Sequence, residues 1–212
     1  MKLIHFMAYA KTSKTEAKKA DTRRRILSVT RQLVSEGGFT NVQMLTVAQL
    51  AGIAIGTVYR YFHSKGDLLT ELVRSLSERE VSILREIAAT DGGASEKLAD
   101  AVRVFASRSM KGRSVAYALI AEPMEEGVAI ERLVYRRACC EVFEQIILEG
   151  IAKSEFPTQT ADISAACIVG AFMEALINPL SLPGRDKLED KALVEAVTKV
   201  CIGIAKNQEN SR

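Results

Sequence analysis

The stretch Thr46 to Leu69, TVAQLAGIAIGTVYRYFHSKGDLL, constrains this chain more than any other. Thr46 is followed three residues later by Gln49, the spacing of a capping box, in which a hydroxyl accepts from a first-turn N–H while the second side chain reaches back. That spacing predicts a short helix through Val47, Leu50 and Ala51. Gly52 ends it, because a helix C-terminus commonly needs a left-handed residue that glycine adopts without steric cost. Ile53, apolar and just past the turn, is placed to plug the angle between two helices. A second short helix follows from about Ile55 to Phe62. Ser64 and Asp67 repeat the capping spacing and open a third helix at Lys65. Helix, glycine turn, helix is the helix-turn-helix unit, whose second helix enters the major groove of DNA.

The composition of that second helix separates a DNA reader from an ordinary helical corner. Its β-branched and aromatic residues are poor choices for a free-standing helix. Val58 and Phe62 lie four apart, so one face can pack on the domain. The opposite side offers Gly56, Thr57, Tyr59, Arg60 and Tyr61, which are small or polar-tipped. Hydroxyls and a guanidinium of this kind donate to phosphate oxygens, and arginine also reads guanine. With Thr46, Ile55 and Lys65 beside them, these are the candidate DNA-contacting residues. The alternative is a helical hairpin whose tyrosines only pack.

This stretch resembles the TetR (tetracycline-repressor) family of bacterial transcriptional regulators. The matching residues are Thr46, Ala48, Leu50, Ala51, Gly52 and Ile53, then Gly56 through Phe62, then Ser64-Lys65 and Asp67-Leu68-Leu69. Arg25-Ile26-Leu27 and Glu36-Gly37-Gly38-Phe39 resemble the family's first helix and its end. Ala54 departs from the pattern, standing where the family usually has a capping Ser or Thr, a loss of about 1 kcal/mol. The resemblance implies a dimer whose last two long helices form a four-helix bundle with those of a second subunit, and a body that binds an inducer.

Charge supports a polyanionic partner. Residues 1–64 carry ten Lys or Arg against three acids, while the remainder carries nineteen against twenty-three. A basic head on an acidic body suits a protein whose first part meets DNA. Residues 1–20 read as a mobile basic arm bearing Lys11, Lys14, Lys18 and Lys19, able to follow the phosphate backbone or simply to be solvated. Met7 is an alternative start. Leu3, Ile4, Phe6 and Met7 make an apolar patch too short for a membrane span. A first helix is predicted from about Asp21 to Glu36, with Arg23, Arg24 and Arg25 opposing the dipole at its start, a placement that a phosphate contact would explain.

The rest of the chain predicts an all-α protein of about nine helices, with a helix-turn-helix domain over 21–66 and a helical ligand-binding and dimerisation domain over 67–212. Further helices are expected over about 65–88, 95–110, 114–121, 126–153, 160–177 and 186–206. The helix from Lys65 joins head and body without a flexible joint. Phe105, Met110, Tyr117, Met124, Phe143, Phe172 and Met173 are candidate liners of an apolar effector cavity, or plain core. Glu174 interrupts an apolar run and is a further candidate.

Catalysis has little support. His5 and His63 are the only histidines, and no nucleophile elbow, phosphate-cradling loop or metal-ligand cluster is present. Cys139, Cys140, Cys167 and Cys201 lack Cys-x-x-Cys spacing and sit in apolar helices, as reduced cysteines of a cytoplasmic protein do. The expected partners are double-stranded operator DNA, a second copy of the chain and a small apolar or amphipathic effector, with no cofactor, metal or membrane. The reading is a ligand-responsive repressor. A helical small-molecule-binding protein without DNA binding and a thiol-based redox regulator are the alternatives.

Overall fold

The computed structural model describes residues 2–123, 126–181 and 186–206, with side chains from Thr15 onward apart from Lys187. Among these residues there are nine α-helices and no strand: α1 (Lys2–Gly37), α2 (Met44–Leu50), α3 (Ile55–Tyr61), α4 (Lys65–Ala88), α5 (Ala94–Lys111), α6 (Arg113–Ile120), α7 (Glu126–Ala152), α8 (Ala161–Ser181) and α9 (Lys187–Lys206). They form two compact units, Met1–Leu72 and Val73–Arg212, so the division falls inside α4. Reading the sequence alone placed it after Gly66.

The first helix starts nineteen residues before the predicted Asp21, at Lys2. No glycine or proline occurs before Gly37, and the Ala, Lys and Glu of residues 8–20 favour helix, so the expected mobile arm is the front of α1. Arg23, Arg24 and Arg25 therefore lie in mid-helix, and no dipole opposes them. A 3-10 turn over Phe39–Asn41 follows, fastened to α1 where the Asn41 side-chain amide donates to the Leu33 carbonyl at 3.0 Å. The buried residues of this unit include Ile26, Leu33, Phe39, Val47, Val58, Phe62, Leu68 and Leu69. Each such side chain contributes about 1.5–3 kcal/mol on burial.

In α2 the predicted capping register is three residues out. Gln43 precedes the first turn, Thr46 is its third helical residue, and no side chain caps it. Starting at Met44 lets the helix bury Met44 with Val47 and Ala48. The C-terminus of α2 follows expectation. Gly52 sits at φ 62°, its N–H donates to the Gln49 carbonyl at 3.1 Å, and the Ile53 N–H donates to Ala48 at 3.0 Å. These are the two bonds of a Schellman turn. The α4 cap is also as expected, the Asp67 N–H donating to Ser64 Oγ at 3.0 Å.

In the second unit α8 packs against α5, α6, α7 and α9. Its centre is Phe172, whose ring lies 4.7 Å from that of Phe105 and 5.5 Å from that of Phe143. The helix was expected to break at Asn178-Pro179 but runs on to Ser181 with Pro179 inside it and buried. A proline there removes one backbone bond and crowds the carbonyl four residues back, and its own carbonyl accepts from Arg113 at 2.6 Å. By length and composition α8 alone among the described helices would pass for a membrane span, with half of its most apolar window buried in the protein. Asp186 and Glu189 cap α9 reciprocally, at 2.8 and 3.3 Å.

Candidate nucleic-acid interface and ligand site

The seven residues of α3 divide by face as the sequence predicts. Val58 is fully buried and Phe62, at the C-cap, nearly so, which fixes the helix on its unit. Ile55, Gly56, Tyr59 and Arg60 are exposed, and Thr57 and Tyr61 are half-buried beside them. A Cβ at Gly56 would meet nothing within 4 Å, so the glycine leaves an open approach to the backbone. Ala54 provides no side-chain cap. Thr46 on α2 and Lys65 at the start of α4 are both half-buried. Lys18, Arg25, Arg60 and Lys65 have no ion-pair partner among the described residues, and all but Lys65 are exposed.

Two basic residues have roles that sequence reasoning missed. The Arg23 guanidinium lies 5.0 Å from the centroid of the Phe62 ring and 2.8 Å from Glu71, so it braces α1 against the end of α3 and the start of α4. Lys19, one turn earlier, pairs with Glu16 at 2.9 Å, which raises its ammonium above the ordinary lysine range. No local pattern announces the brace, because it depends on where α1 passes α3.

The candidate effector residues separate. Phe105, Met110, Phe143, Phe172 and Met173 all belong to one buried cluster, with Tyr117 packed against it half-buried. The rings of Phe105 and Phe143 both pack tilted against that of Phe172. Glu174 is exposed on the outer side of α8, and Met124 lies outside the described residues. A groove of about 150 Å3 is lined instead by Ala171, Ala175, Ala196, Val197, Val200 and Cys201 of α8 and α9. Val200 in this lining is more than half exposed, as is Ile163 two turns before Ala171 on α8. Arg132 is half-buried, with one nitrogen donating to the Ala118 and Glu122 carbonyls at the end of α6 and its buried Nε unpartnered. Burial lowers its pKa. Among the described residues no group of three His, Cys, Asp or Glu is placed to hold a metal.

A family profile described as "Bacterial regulatory proteins, tetR family" matches residues 26–72. The repressor KstR of Rhodococcus jostii is 48% identical over 59 residues, 28% of each chain, and KstR of Mycolicibacterium smegmatis is 42% identical over 73 residues, 35% of its length. The chain thus matches about a third or less of these relatives' length. The fatty acid metabolism regulator protein of Bacillus subtilis is 24% identical over 132 residues, 61% of this chain and 68% of that one. The crystal structure of FadR from Bacillus subtilis, in complex with stearoyl-CoA, superposes with a TM-score of 0.71 at 20% identity, covering 88% of this chain and 99% of FadR. A TetR-family regulator structure from Syntrophomonas wolfei superposes with a TM-score of 0.74 at 17% identity, over 92% and 100%. Residues 26–72 thus carry the helix-turn-helix of the tetR family of bacterial regulatory proteins, and the chain as a whole shares the fold of these solved structures.

Proposed function

We propose that the protein is a transcriptional repressor that binds operator DNA through α3 as a homodimer and is released by a small effector. The observation that carries this is the exposed face of α3, where Gly56, Tyr59 and Arg60 are presented by a helix pinned from behind by Val58 and Phe62. Phosphate contacts come from Tyr59, Thr57, Tyr61, Thr46 and Lys65, and base contacts from Arg60 and the surface around Ile55 and Gly56. Two such helices about 34 Å apart meet successive major grooves on one side of a duplex.

Dimerisation accounts for the composition of α8, apolar on its outer side as well as its inner one. Ile163, Cys167, Gly170, Ala171 and Ala175, with Ala196 and Val200 of α9, form an apolar surface of mostly small residues that a second copy's helices would cover. The effector is proposed as an apolar or amphipathic molecule entering near Tyr117 and the Phe105, Phe143 and Phe172 cluster, with Met110 and Met173 as adaptable walls. The stearoyl-CoA bound by Bacillus subtilis FadR makes long-chain acyl thioesters the first class to try. Effector binding would favour a state of the body that changes the course of α4, and DNA must weaken effector binding by the same factor. Regulation, and not turnover, is the proposed activity, in the cytoplasm.

The test is to sequence genomic fragments retained by the purified protein, then titrate Tyr59→Phe with Lys65→Ala against the recovered duplex. Loss of duplex affinity with effector binding intact supports the reading. No enrichment of any fragment would sink it.

A further inference from the structure

We propose that the front of α1, residues 2–20, is a second DNA-contacting surface that grips the phosphate backbone beside each α3. The proposal rests on the DNA-binding reading above and adds to it a site outside the helix-turn-helix.

Three observations carry it. First, α1 is one continuous helix of 36 residues, and the chain before Arg23 extends about 30 Å at 1.5 Å per residue. Second, its direction is fixed at the point where it passes α3. Arg23 is held between Phe62 at 5.0 Å and Glu71 at 2.8 Å, so α1 passes the C-terminal end of α3 at that turn. Third, the last of those turns, from Thr15 to Ala20, is exposed and bears Lys18 and Lys19. By spacing alone, positions 11, 14 and 18 fall on one side of a helix. Residues 2–20 carry five lysines against a single acid, Glu16.

Counterion release gives a favourable term for each phosphate that such a lysine contacts. A helix delivers its lysines already ordered, so less chain entropy is lost on binding than a disordered arm would lose. The partner is the sugar-phosphate backbone, because ammonium groups match its charge without reading bases.

The experiment uses the full-length protein and a 30-base-pair duplex of arbitrary sequence, with affinity measured by fluorescence anisotropy between 0.05 and 0.3 M salt. Lys18→Ala with Lys19→Ala is compared with the parent, with Lys18→Arg with Lys19→Arg, and with Arg60→Ala. If both lysines contact phosphates, the slope of log affinity against log salt becomes shallower by about 1.8, and affinity at 0.1 M salt falls by roughly tenfold or more. The arginine pair keeps the parent's slope, and thermal unfolding is unchanged in all. An alanine pair with the parent's slope and affinity, while Arg60→Ala loses affinity, overturns this surface and leaves the DNA reading standing. A parent that binds no duplex at any salt overturns both.

Discussion

Arg113 and Asp190 meet in a two-point ion pair: Nη2 donates to the two carboxylate oxygens at 2.6 and 2.8 Å, while Nη1 donates to the Pro179 carbonyl at 2.6 Å. One side chain thus holds together the first turn of α6, the last turn of α8 and the first turn of α9. Both partners are about three-quarters buried, at 26% and 21% exposure. Removing the guanidinium leaves a carboxylate and a carbonyl short of donors, so Arg113→Ala should lower stability by about 1–3 kcal/mol. Arg113→Lys should recover only part of this, because an ammonium cannot fork across two acceptors. Urea denaturation followed by circular dichroism gives the values. Equal midpoints for all three proteins would show the contact to be energetically idle.

Gly150 on α7 offers a sharper packing test. A Cβ there would lie 2.2 Å from Phe156 Cδ2 and 3.0 Å from the Ala94 Cβ, and Phe156 is buried. The Phe156 N–H also donates to the Gly150 carbonyl at 3.2 Å, which holds the ring over that position. Gly150→Ala should therefore destabilise by at least about 1–3 kcal/mol despite the better helix propensity of alanine. Gly150→Ala combined with Phe156→Leu should recover part of the loss. A single variant as stable as the parent would show that the ring moves aside freely.

These contacts mark what the sequence could and could not convey. Periodicity placed the helices, and residue chemistry placed Val58 and Phe62 inward with Tyr59 and Arg60 outward, because burial on a helix repeats every three or four residues. The start of α4 was legible from Ser64 and Asp67, a local cap. The start of α5 was placed within one residue, but its cap was not legible, since the group that satisfies its first N–H donors is Glu155, sixty residues away. The Thr46 cap failed for a related reason. Its spacing is correct, yet burying Met44 outweighed a capping bond worth about 1 kcal/mol. Reading Phe105, Phe143 and Phe172 as a cavity or as core needed their ring distances, which no pattern contains. The brace at Arg23 is a matter of how helices cross.

The thiols provide a labelling test that also reports on dimerisation. Burial pushes Cys139 and Cys201 up to about 12, so neither forms thiolate near neutrality, and oxidation of these two is no ready signal. Cys167 is exposed on the outer side of α8. With iodoacetamide at pH 8, Cys167 should react well before Cys139 and Cys201. Its rate should fall as protein concentration rises, because a partner's helices would cover it. Val200→Glu places a charge in that apolar surface and should restore fast labelling at every concentration, with sedimentation velocity giving a monomer. A labelling rate independent of concentration in the parent would remove this face from the proposed interface.

Acid should act on the second unit through Glu155. Its carboxylate accepts from the Ala94 and Ser95 backbone N–H groups at 3.0 Å each, and these bonds, that from Ser95 first, hold its pKa below the ordinary 4.5. A carboxyl group whose folded pKa is depressed binds its proton more readily in the unfolded chain. Its contribution is therefore complete above pH 4.5 and is lost as pH falls from there through the lower folded value. Glu149 behaves alike, lowered by Lys153 and then Lys97, and forms a background common to parent and variant. In Glu155→Gln one amide oxygen remains to accept where two carboxylate oxygens did, and nothing there titrates. The variant should be less stable than the parent at pH 7, and the two should converge as pH falls below 4.5. Stability curves for parent and variant that stay parallel across that window would mean that the charge on Glu155 does not hold the start of α5.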